Sequence, residues 1–177
     1  MANITRMKIY GLRSKIGLSA TLLTTSVFTA GPLADAPAHA QQVQSPVISI
    51  FENVTLSPDF SPDPTTVRGI SGGPLTASNI AGRAETATGP CAGFVDEQPD
   101  HTIQLTEFFS YLSIQVESPE DTTLVVRGPG GSWCNDDYQS NNPGIAGQWL
   151  SGSYQVWVGS YNRGSYHPYV IRITGNQ

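Results

Sequence analysis

Apolar residues recur at every second position in several short segments of the chain. In residues 110–117, Leu112, Ile114 and Val116 share one face while polar side chains occupy the other. Residues 154–158 and 169–173 repeat this alternation. Because successive side chains of a strand point to opposite faces, this period predicts half-buried β-strands.

Turn-forming residues separate these segments throughout the chain. Thirteen prolines and eighteen glycines are spread along it, which leaves little room for a helix of typical length. Short strands at roughly 8–12-residue spacing predict an all-β fold, an antiparallel, jelly-roll-like β-sandwich of about eight short strands. We place further strands at residues 50–56, 65–70, 91–96, 101–105 and 122–127, and expect irregular structure with one short strand around 78–82.

The first forty residues have the organisation of a secretory signal peptide. Basic residues at positions 6–15 precede an apolar stretch that is too short to span a bilayer comfortably, and Ala38-His39-Ala40 is a small-x-small cleavage site. An N-terminal anchor helix is the alternative. Residues 41–46 then form a flexible lead-in, and residues 47–177 a single domain large enough for its own core.

The charge of the exported part limits the class of partner. After residue 40 the chain has five arginines, no lysine and thirteen carboxylates, a net charge of −8. This balance disfavours nucleic acid and anionic membrane surfaces, which both require basic residues. It suits a secreted or periplasmic protein that does not insert into a membrane after signal cleavage and that binds a protein or polysaccharide.

Cys91 and Cys134 are the two cysteines of the chain. An even count after a signal peptide favours one disulfide in an oxidising compartment, and two free buried thiols are the alternative. Such a bond would restrain the unfolded chain by roughly 3–4 kcal/mol on the chain-entropy model.

Asn135, Asp136 and Asp137 form the densest group of oxygen ligands. Calcium accepts mixed carboxylate, amide and backbone oxygens, so this run is the candidate metal site. Asx-turns use the same residues without a metal, and the spacing is not that of an EF-hand. Asp121 stands at the far end of the strand over residues 122–127, so the order of the chain predicts that it is not a direct partner of this loop.

Aromatic residues cluster in the last third of the chain and provide the candidate binding surface. Trp133 and Tyr138 flank the acidic run, and Trp157 falls on the opposite phase from the apolar positions of its strand. We expect Trp157 to be exposed or packed under a loop. Exposed aromatic side chains stack on sugars or pack on proteins, and filling of the core is the alternative.

Ser71 begins a Ser-Gly-Gly-Pro run similar to the one around the nucleophile of trypsin-like serine proteases. The position that is aspartate in those enzymes is Ile70, and no histidine precedes Ser71 after the signal. His101 and His167 follow it and could form only an unrelated triad. A turn after a strand is the simpler interpretation.

The motif over residues 111–174 resembles bacterial pre-peptidase C-terminal domains. It comprises Asp121, Leu124 and Val126, then Gly128, Pro129 and Gly131, then Asn135, Asp136 and Asp137, then Leu150, Gly152, Tyr154, Val156 and Val158, and finally Tyr169, Ile171 and Ile173. The resemblance implies a β-sandwich, often stabilised by calcium, with a non-catalytic role in substrate binding, secretion or solubility. It also places Asp121 with Asn135, Asp136 and Asp137 among the acidic loop positions.

These observations lead to one main hypothesis, a secreted non-catalytic binding or accessory module that is not an enzyme. It would bind calcium at the acidic loop and a protein or glycan through exposed aromatic residues. A secreted serine peptidase or hydrolase that uses Ser71 and an envelope structural protein are the alternatives.

Overall fold

The computed structural model of the protein describes residues 49–175, which belong to one compact unit, Ser45–Gln177. The predicted signal peptide and lead-in lie outside the described residues. Within that described range no helix is long or apolar enough to cross a membrane.

Thirteen strands and one short helix make up residues 49–175. Eight strands have five residues or more: β2 (Thr65–Ile70), β7 (His101–Leu105), β8 (Phe109–Glu117), β9 (Thr122–Gly128), β10 (Gly131–Asn135), β11 (Gly144–Trp149), β12 (Gly152–Ser160) and β13 (Pro168–Thr174). The shorter elements are β1 (Val54–Leu56), β3 (Leu75–Thr76), helix α1 (Ala77–Ala81), β4 (Glu85–Thr86), β5 (Gly89–Pro90) and β6 (Phe94–Val95).

The long strands form two sheets. In the first sheet β12 is central: it pairs with β7 and then β6 along one edge, and with β9 along the other. Strand β10 extends this sheet beyond β9, while β1 is added parallel to β7. The second sheet has the order β11-β8-β13-β2 and is antiparallel throughout. The predicted all-β sandwich is therefore confirmed.

The apolar faces of the two sheets meet in one core. The predicted inward residues Leu112, Ile114, Val156 and Ile171 are all buried there. Each such side chain contributes about 1.5–3 kcal/mol when it is removed from water. Period-two alternation in β8, β12 and β13 was sufficient to identify this interior.

The first sheet is also buried on its outer face. Val125 of β9, Cys134 of β10 and Trp157 of β12 form a second apolar cluster under helix α1, whose Ala77 and Ala81 face them. Cys91 joins Cys134 across this cluster with an S–S distance of 2.06 Å. The predicted disulfide is thus confirmed, and it points to an extracellular or periplasmic location, because disulfides persist in oxidising compartments.

Helix α1 replaces the strand that we predicted around residues 78–82. Ala77 and Ala81 are one helical turn apart, so both reach the outer face of the sheet. Gly82 ends the helix in the left-handed conformation, with φ of 74°. A single turn is too short for its periodicity to be recognised in the sequence.

A buried polar network lies where β7 meets β12 and β13. Asp100 accepts a hydrogen bond from the Val158 N–H at 2.7 Å. The adjacent His101 ring lies between the Glu52 carbonyl and the Tyr169 hydroxyl, at 2.7 and 2.8 Å. Since a carbonyl can only accept, Nδ1 of His101 carries the proton and Nε2 accepts from Tyr169.

Burial raises the pKa of Asp100 to about 7, against the lowering effect of the Val158 N–H, and the charge of Asp96 adds to the rise. Burial lowers the pKa of His101 and raises that of Tyr169. The folded protein therefore holds the Asp100 proton over a pH range in which the unfolded chain has lost it.

Stability should consequently fall as pH rises from about 4 to about 7 on account of Asp100. We predict that Asp100→Asn, which retains an acceptor for Val158, equals the wild type in free energy of unfolding near pH 3 and exceeds it near pH 8. The gain corresponds to roughly 4 kcal/mol at most. Urea denaturation at both pH values measures it.

His101 has the opposite pH dependence, but it is present in both proteins. The difference in free energy of unfolding between variant and wild type therefore reports Asp100 alone. Glu97→Gln is the matched control: it removes a neighbouring exposed carboxylate and should leave the profile unchanged. An equal stability difference at both pH values would contradict this assignment.

Candidate functional site

Strand β10 organises the candidate site. It pairs antiparallel with β9, so that Asn135 lies opposite Leu124 and the chain returns to the start of β9. This brings Asp136 and Asp137 close to Asp121. The expectation from strand order alone, that Asp121 lies away from the loop, is wrong because residues 131–135 form a second strand of a hairpin rather than an irregular loop.

Asp136 is the most buried carboxylate of this acidic cluster, which we define as Asp121, Asp136 and Asp137. Its side chain is 7% exposed. Burial raises its pKa to about 6, the charges of Asp137 and Asp121 add to the rise, and the Thr123 side chain opposes it. Burial and the charge of Asp137 likewise raise the pKa of Asp121.

Two oxygens of the cluster have no hydrogen-bond partner among the described residues. They are Oδ1 of Asp121 and Oδ1 of Asp136. A buried oxygen of this kind costs free energy unless a proton, a water or a cation satisfies it. These two atoms are therefore suited to a hard cation.

Asn135 has a structural role instead. Its Nδ2 donates to the Thr88 carbonyl at 2.8 Å, and its Oδ1 accepts from the Gly144 N–H at 2.9 Å. The amide thus links β10 to the turn of the β4–β5 hairpin and to β11. Because both of its polar atoms are engaged, we remove the Asn135 side chain from the set of metal ligands. Within residues 49–175 no three His, Cys, Asp or Glu side chains are placed to hold a metal ion.

An aromatic cleft opens on the other side of β10. Trp133, Trp149 and Tyr154 pack together, with ring centroids 5.0–6.3 Å apart. Trp149 donates from Nε1 to the Leu112 carbonyl, and the Tyr154 hydroxyl donates to the Leu150 carbonyl. These bonds fix two of the three rings, while Trp133 remains half-buried at the surface.

The cleft has a volume of about 260 Å³ and mainly apolar walls. Pro129 and Gly130 of the β9–β10 turn form one side, while β11 and Leu150 form the other. Leu150 is 53% exposed at its rim. The sequence pattern did not predict Pro129, Gly130 and Leu150 as cleft residues. An apolar residue in a turn is the signal that could have indicated Leu150.

The remaining predicted aromatic residues lie elsewhere. Tyr138 is 49% exposed but packs over Gly144, in a hollow beside β8 that is separate from the cleft. Trp157 is 3% exposed and lies under helix α1, so it is neither exposed nor covered by a loop as we expected. The structure therefore leaves no surface at Trp157 for a partner to contact.

Ser71 does not have the surroundings of a nucleophile. Its side chain is 0% exposed, and its hydroxyl shares a hydrogen bond of 2.8 Å with Ser160 and accepts from the His167 N–H. The His101 ring is engaged by Glu52 and Tyr169. Among the described residues, no imidazole ring is hydrogen-bonded to Ser71 as a triad would require.

Comparison with known proteins gives few relatives. No family model matches the chain. An uncharacterised protein of Synechococcus elongatus is 31% identical over 87 residues, which is 47% of this chain and 64% of that protein. The match therefore spans less than two thirds of the length of this curated relative.

Two solved structures are similar to the chain. One is the pre-peptidase C-terminal domain of a collagenase from Bacillus anthracis, with 13% identity, coverage of 69% of this chain and 94% of that chain, and a TM-score of 0.41. The other is Aeromonas hydrophila PliG, a periplasmic lysozyme inhibitor of g-type lysozyme, with 15% identity, coverage of 70% and 96%, and a TM-score of 0.37. The first is a domain of the family that the motif over residues 111–174 resembles.

Proposed function

We propose that the protein is a non-catalytic binding module that acts outside the cytoplasm and holds a protein or polysaccharide partner in the aromatic cleft. The observation that carries this proposal is the position of Trp133. Its ring is half-buried against Trp149 and Tyr154, yet it forms the surface of an open apolar hollow.

The packing of the cleft favours recognition of a partner. Aromatic side chains provide a large contact area, and a ring already held by its neighbours loses little entropy when a partner covers it. The buried state of Ser71 adds support for a non-catalytic role, because the one predicted nucleophile faces away from solvent.

Loss of the Trp133 ring should remove most of the binding. We predict that at least one insoluble polymer from a panel of collagen, peptidoglycan, chitin and cellulose retains the protein in a sedimentation assay. Trp133→Ala should weaken that retention by about ten-fold or more, in keeping with the effect of an interface hot spot. The dissociation constant from depletion of the supernatant provides the measurement.

Tyr161→Ala is the control, since Tyr161 is an exposed aromatic residue outside the cleft. It should leave retention unchanged. Equal retention of wild type and Trp133→Ala, or retention by none of the four polymers, would count against the proposal.

We further propose that calcium binds at the acidic cluster. Asp121 and Asp136 would each supply an otherwise unpartnered oxygen, and the exposed Asp137 stands beside them. The ion would supply positive charge that offsets the repulsion between these carboxylates. Asn135 would contribute indirectly by fixing β10 to β11.

Calcium should raise the melting temperature of the wild type when millimolar Ca²⁺ replaces EDTA at neutral pH. A concentration of 100 times the dissociation constant corresponds to about 2.7 kcal/mol. Asp136→Asn should melt above the wild type in EDTA, because it removes a buried like charge, and should lose the response to calcium. Differential scanning calorimetry measures both effects.

Glu85→Gln serves as the charge-matched control, because Glu85 is exposed and lies on a different hairpin. It should keep the full calcium response. If the response persists in both Asp121→Asn and Asp136→Asn, the ion binds elsewhere.

A further inference from the structure

Strand β11 has one open edge. It is the last strand of the second sheet and pairs only with β8 there, while β10 is the last strand on the corresponding side of the first sheet. The aromatic cleft lies between these two edge strands. An edge strand presents a row of N–H and C=O groups that another chain can pair with.

The hydrogen-bond pattern shows which groups of β11 face the open side. The Val116 N–H donates to the Pro143 carbonyl, so the backbone polar groups of residues 143, 145 and 147 point towards β8. The Gly144 N–H, in contrast, donates away from β8 to Asn135. By the same alternation, the N–H and C=O of Ala146 face the open side beside the cleft.

The facing strand β10 has its own edge covered at Cys134. The Cys134 N–H donates to the Thr86 hydroxyl at 2.9 Å, and its carbonyl accepts from the Thr88 hydroxyl at 2.7 Å. The β4–β5 hairpin therefore closes β10 against a further strand at this residue. Ala146 on β11 has no such cover among the side-chain hydrogen bonds of the described residues.

Charge indicates the kind of chain that would fit. No charged side chain lines the cleft. The loop that enters β11 at Gly144 carries Asp136 and Asp137, and residues 49–175 carry thirteen carboxylates against five arginines. The excess of carboxylates gives this side of the molecule a negative electrostatic potential, which attracts a basic partner and repels an acidic one.

We propose that β11 accepts an extended basic peptide segment of another protein as an added strand. The segment pairs with Ala146 through its backbone and places one apolar or aromatic side chain on Trp133 in the cleft. This inference rests on the proposed function and specifies the partner as a polypeptide. Backbone pairing supplies affinity, and the pocket selects the side chain.

The test is selection of displayed random ten-residue peptides on the immobilised protein at low ionic strength. We expect enriched peptides in which an apolar or aromatic residue is flanked at alternate positions by Lys or Arg. Their binding should weaken by about ten-fold or more in Trp133→Ala and also in Ala146→Pro. Proline removes the outward N–H of an edge strand and is tolerated there. The control Tyr161→Ala, at an exposed aromatic residue outside the cleft, should bind normally.

A second measurement does not depend on how Ala146→Pro folds. N-methylation of successive residues of an enriched peptide should abolish binding at the residue that pairs with Ala146 and be tolerated at its two neighbours, because adjacent amides of an added strand point to opposite sides.

The outcomes separate the two proposals. Peptides that require Trp133 but tolerate both Ala146→Pro and N-methylation would leave the cleft as the binding site and overturn strand addition. In a further outcome, the selection enriches no peptide above the Trp133→Ala background, while a polysaccharide retains the protein only when Trp133 is present. This outcome would also overturn strand addition, and it would identify a glycan partner. Enrichment of acidic peptides would overturn the assigned partner chemistry.

Discussion

Burial of both faces of the β9–β12 pair is the constraint on which the rest of the structure depends. Leu124, Val126 and Val156 face the second sheet, whereas Val125 and Trp157 face helix α1. A strand pair covered on both sides has no free face for a ligand. Binding around this strand pair is therefore confined to the adjoining edges, turns and loops, where the acidic cluster and the aromatic cleft both occur.

Strand β10 connects these two places. Its alternation directs Trp133 towards the cleft and Cys134 towards the disulfide, and its end leads into the acidic cluster. The Cys91–Cys134 bond and the Thr86 and Thr88 hydroxyls hold the strand from outside. Binding at either place would thus act on a strand that is already fixed, which reduces the entropy lost when a partner binds.

The sequence predicted the sandwich well and the site only in part. Strands such as β2, β7 and β13 follow from their alternation or β-branched content, because each has one face in a core. Strands β10 and β11 are rich in Gly, Ser, Asn and Gln, so their composition indicates a loop although pairing with β9 and β8 makes them strands. Consequently the proximity of Asp121 to Asp136 could not be read from chain order, and the off-phase Trp157 could not be assigned to a second core.

The most direct test of this account is amide hydrogen exchange resolved by residue. We expect the strongest protection in the central residues of β9 and β12, since both faces and both edges of these strands are covered. The Ala146 amide at the open edge should exchange rapidly. Rapid exchange through the centre of β12, or an Ala146 amide as protected as that of Val125, would contradict this expectation.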